Sequence, residues 1–126
     1  MPFVCPQLRS IEEQAVVDDN CVALIRASVP GLRGTAASGW RQGAPVVGGQ
    51  RIARGTAIAT FEDGRFANRR GVDHAAIFLD YSGAGIWVLE QRAGSASGTV
   101  QRTFIANGSG DPSRDAAAFS VIELRG

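Results

Sequence analysis

Two residues in this chain, one cysteine and one histidine, stand in positions that suit their types to covalent chemistry. Cys21 opens an apolar stretch in which Val22, Ile25 and Val29 recur at helical spacing, behind Asn20 as an N-cap and ahead of the breaker Pro30-Gly31. The expected element is a short helix over about 21–28. A thiol in the first turn of a helix meets unpaired backbone N–H groups and the positive end of the dipole, and both favour the nucleophilic thiolate. The same N–H groups can supply half of an oxyanion hole. His74, the single histidine, lies 53 residues further on and opens the apolar run His74-Ala75-Ala76-Ile77-Phe78-Leu79-Asp80-Tyr81. If the cysteine uses an imidazole base, it is this one. The plain alternatives are a buried structural cysteine or a disulfide with Cys5, and a core histidine. Cys5, between Val4 and Pro6, has no catalytic context, so Cys21 is expected as a thiol.

Composition narrows the rest. The 126 residues, 44% hydrophobic and 20% charged, are the size and make-up of one globular domain, 1–126. A net charge of +1 gives no footprint for nucleic acid or an anionic membrane. All 13 basic residues are Arg, which excludes Schiff-base and P-loop lysine chemistry. Two Cys and one His are too few for a four-ligand Cys/His zinc site, which leaves a mononuclear site completed by carboxylates as the metal alternative; Cys–His chemistry needs neither metal nor cofactor, and none is expected. No run approaches a membrane span, and the start Met1-Pro2-Phe3-Val4-Cys5-Pro6 lacks the pattern of a secretory signal.

The elements that must position Cys21 and His74 follow from the texture of the chain. Residues 7–20 read as an opening helix or turn. Residues 31–55, rich in Gly, Ser, Thr and Ala and carrying Trp40-Arg41-Gln42-Gly43, read as a long connection. Strands are expected at 56–61, 74–81, 86–91, 99–105 and 118–124, with turns at Glu62-Asp63-Gly64-Arg65 and Ser82-Gly83-Ala84-Gly85. Helices first and antiparallel strands after is an α+β order.

The segments resemble a known group. Asn20-Cys21-Val22-Ala23-Leu24-Ile25 is similar to the nucleophile segment of CHAP and NlpC-type amidases, which are papain-like. Asp73-His74-Ala75-Ala76-Ile77-Phe78-Leu79 is similar to their general-base strand, and Ile86-Trp87-Val88-Leu89-Glu90-Gln91 to the strand carrying the third member. Together with Trp40-Arg41-Gln42-Gly43 and Arg54-Gly55-Thr56-Ala57-Ile58-Ala59-Thr60-Phe61, they resemble the type VI secretion amidase effectors, from about residue 15 to the C-terminus.

The resemblance implies a papain-like α+β domain with N-terminal helices packed on an antiparallel sheet. It implies a cysteine amidase acting on the peptide stems or cross-links of peptidoglycan, with the D-alanyl–diaminopimelate cross-link favoured over the γ-D-glutamyl–diaminopimelate bond. It further implies manufacture in the cytoplasm without a signal peptide, injection by a type VI secretion apparatus, action in the periplasm of the target cell, and a cognate immunity protein. Carried onto this chain, Cys21 is the nucleophile and His74 the base. The third member is Glu90, with Gln91 and Asp73 as alternatives. Asp80 lies six residues past His74, about 20 Å along a strand, and is too far to orient the ring. Glu90 reaches His74 only if the hairpin register puts both on one face, since a tight two- or four-residue loop brings Gln91 there instead. Trp40, Arg41 and Gln42 are candidate substrate contacts, Arg41 for a stem carboxylate and Trp40 as a cleft wall, against the simpler reading of a tryptophan pinning a loop. Gln14 is a candidate oxyanion donor. A phage or housekeeping wall hydrolase with the same chemistry, and a small non-catalytic binding module, are the competing functions.

Overall fold

The computed structural model describes residues 3–5, 24–26, 29–32, 34–49, 51–67, 73–91, 100–108 and 114–124. Its frame is one antiparallel sheet of six strands: β1 (Trp40–Pro45), β2 (Ala57–Thr60), β3 (Ala75–Ser82), β4 (Gly85–Glu90), β5 (Gln101–Ala106) and β6 (Phe119–Leu124). They lie side by side in the order β1-β6-β2-β3-β4-β5. Among the described residues, helix amounts to 24–26 and short 3-10 turns at Pro30–Leu32, Ala37–Gly39 and Ala116–Ala118. This corrects the expected α+β, papain-like domain with N-terminal helices packed on a sheet: among the described residues the fold is mostly β, and no helix reaches seven residues. The expectation rested on the 7–20 and 21–28 segments and on the resemblance. Of the apolar residues at helical spacing, Ile25 and Val29 bury their side chains in the core. The 7–20 element and the remainder of the 21–28 helix lie outside the described residues.

The five expected strands are present within two residues of their expected ends. The sheet has a core on each face. Ala57, Ala59, Ala75, Ile77, Leu79 and Leu89 pack on one side with Leu24, Ile25, Val29, Leu32 and Trp40. Ile58, Ala76, Phe78, Ile86, Val88 and Phe119 pack on the other with Val46 and Ala116. Burial on both sides is why β3 is apolar at consecutive positions rather than alternating.

The sixth strand, β1, replaces part of the expected 31–55 connection. Gly43 and Pro45 disguise it. Among the six strands it neighbours β6 alone, and its other side meets just the isolated Arg41–Arg65 bridge among the described residues, so Pro45 costs it little at the sheet edge. Its register with β6 slips between Gln42 and Pro45. A Cβ on Gly43 would come within 2.8 Å of the Val121 carbonyl oxygen and 2.7 Å of the Glu123 side chain, so a side chain there does not fit.

Gly85 begins β4 directly after the Gly83-Ala84 turn, where a Cβ would collide with the Ile105 carbonyl oxygen and sit 2.9 Å from Ala106 Cα. Both obstacles are backbone of the neighbouring strand and cannot rotate away. Gly85→Ala is therefore expected to destabilise the fold by about 2 kcal/mol or more. Thermal unfolding followed by circular dichroism checks this, and an unchanged Tm would contradict the close approach of β4 and β5.

Candidate active site

His74 stands one residue before β3 and is held on both sides of its backbone by the last residue of β2. The Thr60 N–H donates to the His74 carbonyl at 2.9 Å, and the His74 N–H donates to Thr60 Oγ1 at 3.0 Å. Thr60 is paired with Phe119 of β6. A row Phe119, Thr60, His74 therefore crosses three neighbouring positions of the sheet, and the His74 ring meets Phe119 edge-on, with centroids 6.3 Å apart at 86°.

His74 Nε2 lies 2.7 Å from Glu90 Oε1. His74 is 3% and Glu90 5% exposed. At that separation and burial, the carboxylate fixes the ring's orientation and stabilises the imidazolium whenever the ring takes a second proton. With Nε2 turned to Glu90, a ring in this orientation can exchange a proton with a nucleophile through Nδ1.

The register explains why Glu90, and not Gln91, meets the ring. The turn between β3 and β4 is the two-residue Gly83-Ala84 loop inside the pair Ser82–Gly85. Run without interruption, that register would set Gln91 opposite Ala76 and turn Glu90 to the other face. But β3 carries one extra residue, Leu79, between the pairs Phe78–Val88 and Asp80–Trp87. Past this bulge the pair is Ile77–Leu89, so the position facing Ala76 is Glu90. A single inserted residue moves the whole side-chain set of a strand to the opposite face. Here it places the carboxylate diagonally across from His74. The sequence does not mark the bulge, because the run Ala75-Ala76-Ile77-Phe78-Leu79 before Asp80 is apolar on both faces.

Asp73 and Gln91, the alternatives to Glu90, are also buried, at 9% and 1%. The Asp73 carboxylate accepts a bond from Thr60 Oγ1 at 3.3 Å. Thr60, which the sequence did not single out, is thus the residue joining Asp73 to the backbone of His74.

The expected substrate contacts are not brought to this pair. Trp40 is fully buried, packed on Phe66 at 5.1 Å between centroids, with Nε1 donating to Thr35 Oγ1 at 3.4 Å. It joins the core on the opposite face from Phe119 and pins its own loop. Arg41 donates to the carbonyls of Ser38 and Trp40, both at 2.9 Å. Gln42 Nε2 donates to Ser120 Oγ at 3.0 Å. All three lie on β1, three strands from β3, and pair with Leu124, Glu123 and Ile122, further along β6 than Phe119. Strand spacings of ~4.8 Å and ~3.3 Å per residue put their backbone positions about 20 Å from that of His74. Cys21, with Asn20 and Gln14, lies outside the described residues.

A buried imidazole–carboxylate pair anchored at the end of a sheet is an arrangement that can act as an oriented general base towards a nucleophile or a water. The comparisons give the particular family. The family model described as domesticated amidase effector 2 matches residues 2–122. A type VI secretion amidase effector 2 protein of Salmonella typhi is 40% identical over 93 residues, covering 72% of this chain and 68% of the relative. A solved structure titled type 6 secretion amidase effector 2 (Tae2) superimposes with a TM-score of 0.84 at 32% identity, covering 100% of this chain and 97% of the other. The chain belongs to the domesticated amidase effector 2 family.

Proposed function

We propose that this chain is a peptidoglycan amidase delivered as an antibacterial effector of type VI secretion, folded as a single domain over 1–126. Membership of an amidase-effector family and the amidase-effector names of its relatives support the activity and the route. The observation that carries the chemistry is the buried His74–Glu90 bond of 2.7 Å, because amide hydrolysis by a thiol uses an imidazole base held in orientation by a polar third residue.

In this reading Cys21 is the nucleophile. His74 Nδ1 takes the Cys21 proton and the thiolate attacks a stem-peptide carbonyl. A tetrahedral oxyanion forms and collapses, the C–N bond breaks, and the imidazolium returns its proton to the leaving amine. Water, deprotonated by the same nitrogen, then hydrolyses the thioester and frees Cys21. Glu90 stays ionised throughout and supports the imidazolium in both halves of the cycle. The resemblance to the effectors favours the D-alanyl–diaminopimelate cross-link as the bond cut, the periplasm of the target cell as the place, and a cognate immunity protein as the antagonist.

Incubating purified sacculi with the protein and reading product masses tests both levels. The expected result is a fall in cross-linked dimers with a matching rise in monomers. Cleavage inside the stem would keep the amidase and overturn the cross-link assignment, and undigested sacculi would overturn the amidase itself. Expression directed to a bacterial periplasm should lyse cells, and cytoplasmic expression should not.

A further inference from the structure

Thr60 makes a set of bonds unlike those of the other β2 residues. Its hydroxyl accepts from the His74 N–H at 3.0 Å and donates to the Asp73 carboxylate at 3.3 Å. Its own N–H holds the His74 carbonyl at 2.9 Å. His74 precedes the β3 ladder, so the ladder alone does not fix it on both sides. The hydroxyl supplies the missing bond, and Asp73 fixes the direction in which that hydroxyl points. Thr60 is 2% exposed, so water does not take over these bonds when the hydroxyl is removed. On the far side, the ring rests edge-on against Phe119, the strand partner of Thr60.

We infer that Thr60, oriented by Asp73, is a positioning residue that sets the His74 ring against Glu90 through the His74 backbone. This inference rests on the reading of His74 as the catalytic base. Thr60 touches neither substrate nor the reacting atoms. It acts by fixing where the Cα of His74 stands, and so whether Nε2 stays on Glu90 while Nδ1 is aimed at the nucleophile. The carboxylate of Asp73 belongs to this clamp, whereas the Glu90 carboxylate belongs to the ring.

The test uses Thr60→Val, which keeps the branched shape and deletes the oxygen, beside Thr60→Ser, which keeps the oxygen. His74 is the single histidine, so in tag-free protein the imidazole gives one set of ring ¹⁵N and N–H resonances. In wild type, and in Thr60→Ser, the Nε2 proton bonded to Glu90 is expected as a sharp downfield signal. In Thr60→Val it should broaden or shift upfield, and kcat on peptidoglycan should fall about 10-fold or more with KM within about twofold. Thr60→Ala, which sets no extra methyl against the His74 N–H, carries the same expectation and serves if the valine variant does not fold. Unchanged His74 signals in a folded Thr60→Val or Thr60→Ala protein overturn the inference, whether or not Tm falls. Equal loss of the signal in Thr60→Ser overturns it too. Because the resonance is read without substrate, it decides the role of Thr60 even if the wild-type protein leaves peptidoglycan uncut.

Discussion

Cys21→Ala is expected to reduce peptidoglycan digestion by at least about 10³-fold, His74→Ala by a similar factor, and the double variant by no more than either alone. The three results belong together. A thiol without its base is mostly protonated at neutral pH, and an imidazole without the thiol has no covalent intermediate to serve, so each residue's contribution disappears with the other. Additive losses would mean that the two act in separate steps. The variants should differ in stability. His74→Ala leaves Glu90 buried without the imidazole, and truncating one member of a buried charged pair costs about 3–5 kcal/mol. Its Tm should therefore fall by about 10 °C or more. Activity is compared at a temperature where all variants are folded, with near-ultraviolet circular dichroism as the check.

Moving the carboxylate should be nearly as damaging as deleting it. Glu90→Gln keeps the shape and an oxygen that can accept from Nε2, but removes the charge that supports imidazolium. A loss of about 10²-fold in kcat is expected, with KM little changed. The informative partner is Glu90→Gln combined with Gln91→Glu, which restores the carboxylate one residue along. Because adjacent strand positions face opposite sides and the Leu79 bulge gives the His74 side to position 90, the second change should restore nothing, and it adds the cost of a new buried charge. Recovery of activity in the double variant would mean that β3 and β4 pair in the uninterrupted register of the two-residue turn.

Much of this was readable in the chain. The five central and flanking strands follow from β-branched and apolar runs bounded by Gly-containing turns. The positions of His74 and Glu90 on neighbouring strands follow from that order. What stayed hidden has physical causes. Register depends on whether one strand carries an unpaired residue, and in a sheet packed on both faces the apolar pattern is the same with the bulge or without it. The edge strand β1 hid because Gly43 serves a close approach and Pro45 an edge position, both of which read locally as loop. The helix-rich opening was read from sparse apolar residues over 7–29 and from the resemblance, and a sparse apolar pattern does not fix how much of a domain is helix. Trp40 was legible as aromatic, but whether an aromatic side chain walls a cleft or fills a core depends on which sheet face it meets, and that is set by pairing with Leu124 at the far end of the chain. Thr60 carried no signal, since a threonine ending a strand looks the same whether its hydroxyl meets water or the backbone of a histidine.

The central claim is that Cys21 and His74 act as a thiolate–imidazolium pair, and the rate of alkylation of Cys21 tests it most directly. Iodoacetamide labelling at pH 6, resolved by peptide mass, follows Cys21 with Cys5, 3% exposed, as the internal reference. The account predicts rapid labelling of Cys21 in the wild type, a fall of about 10-fold or more in His74→Ala, and slow labelling of Cys5 in both. Equal rates at Cys21 with and without the imidazole would contradict it.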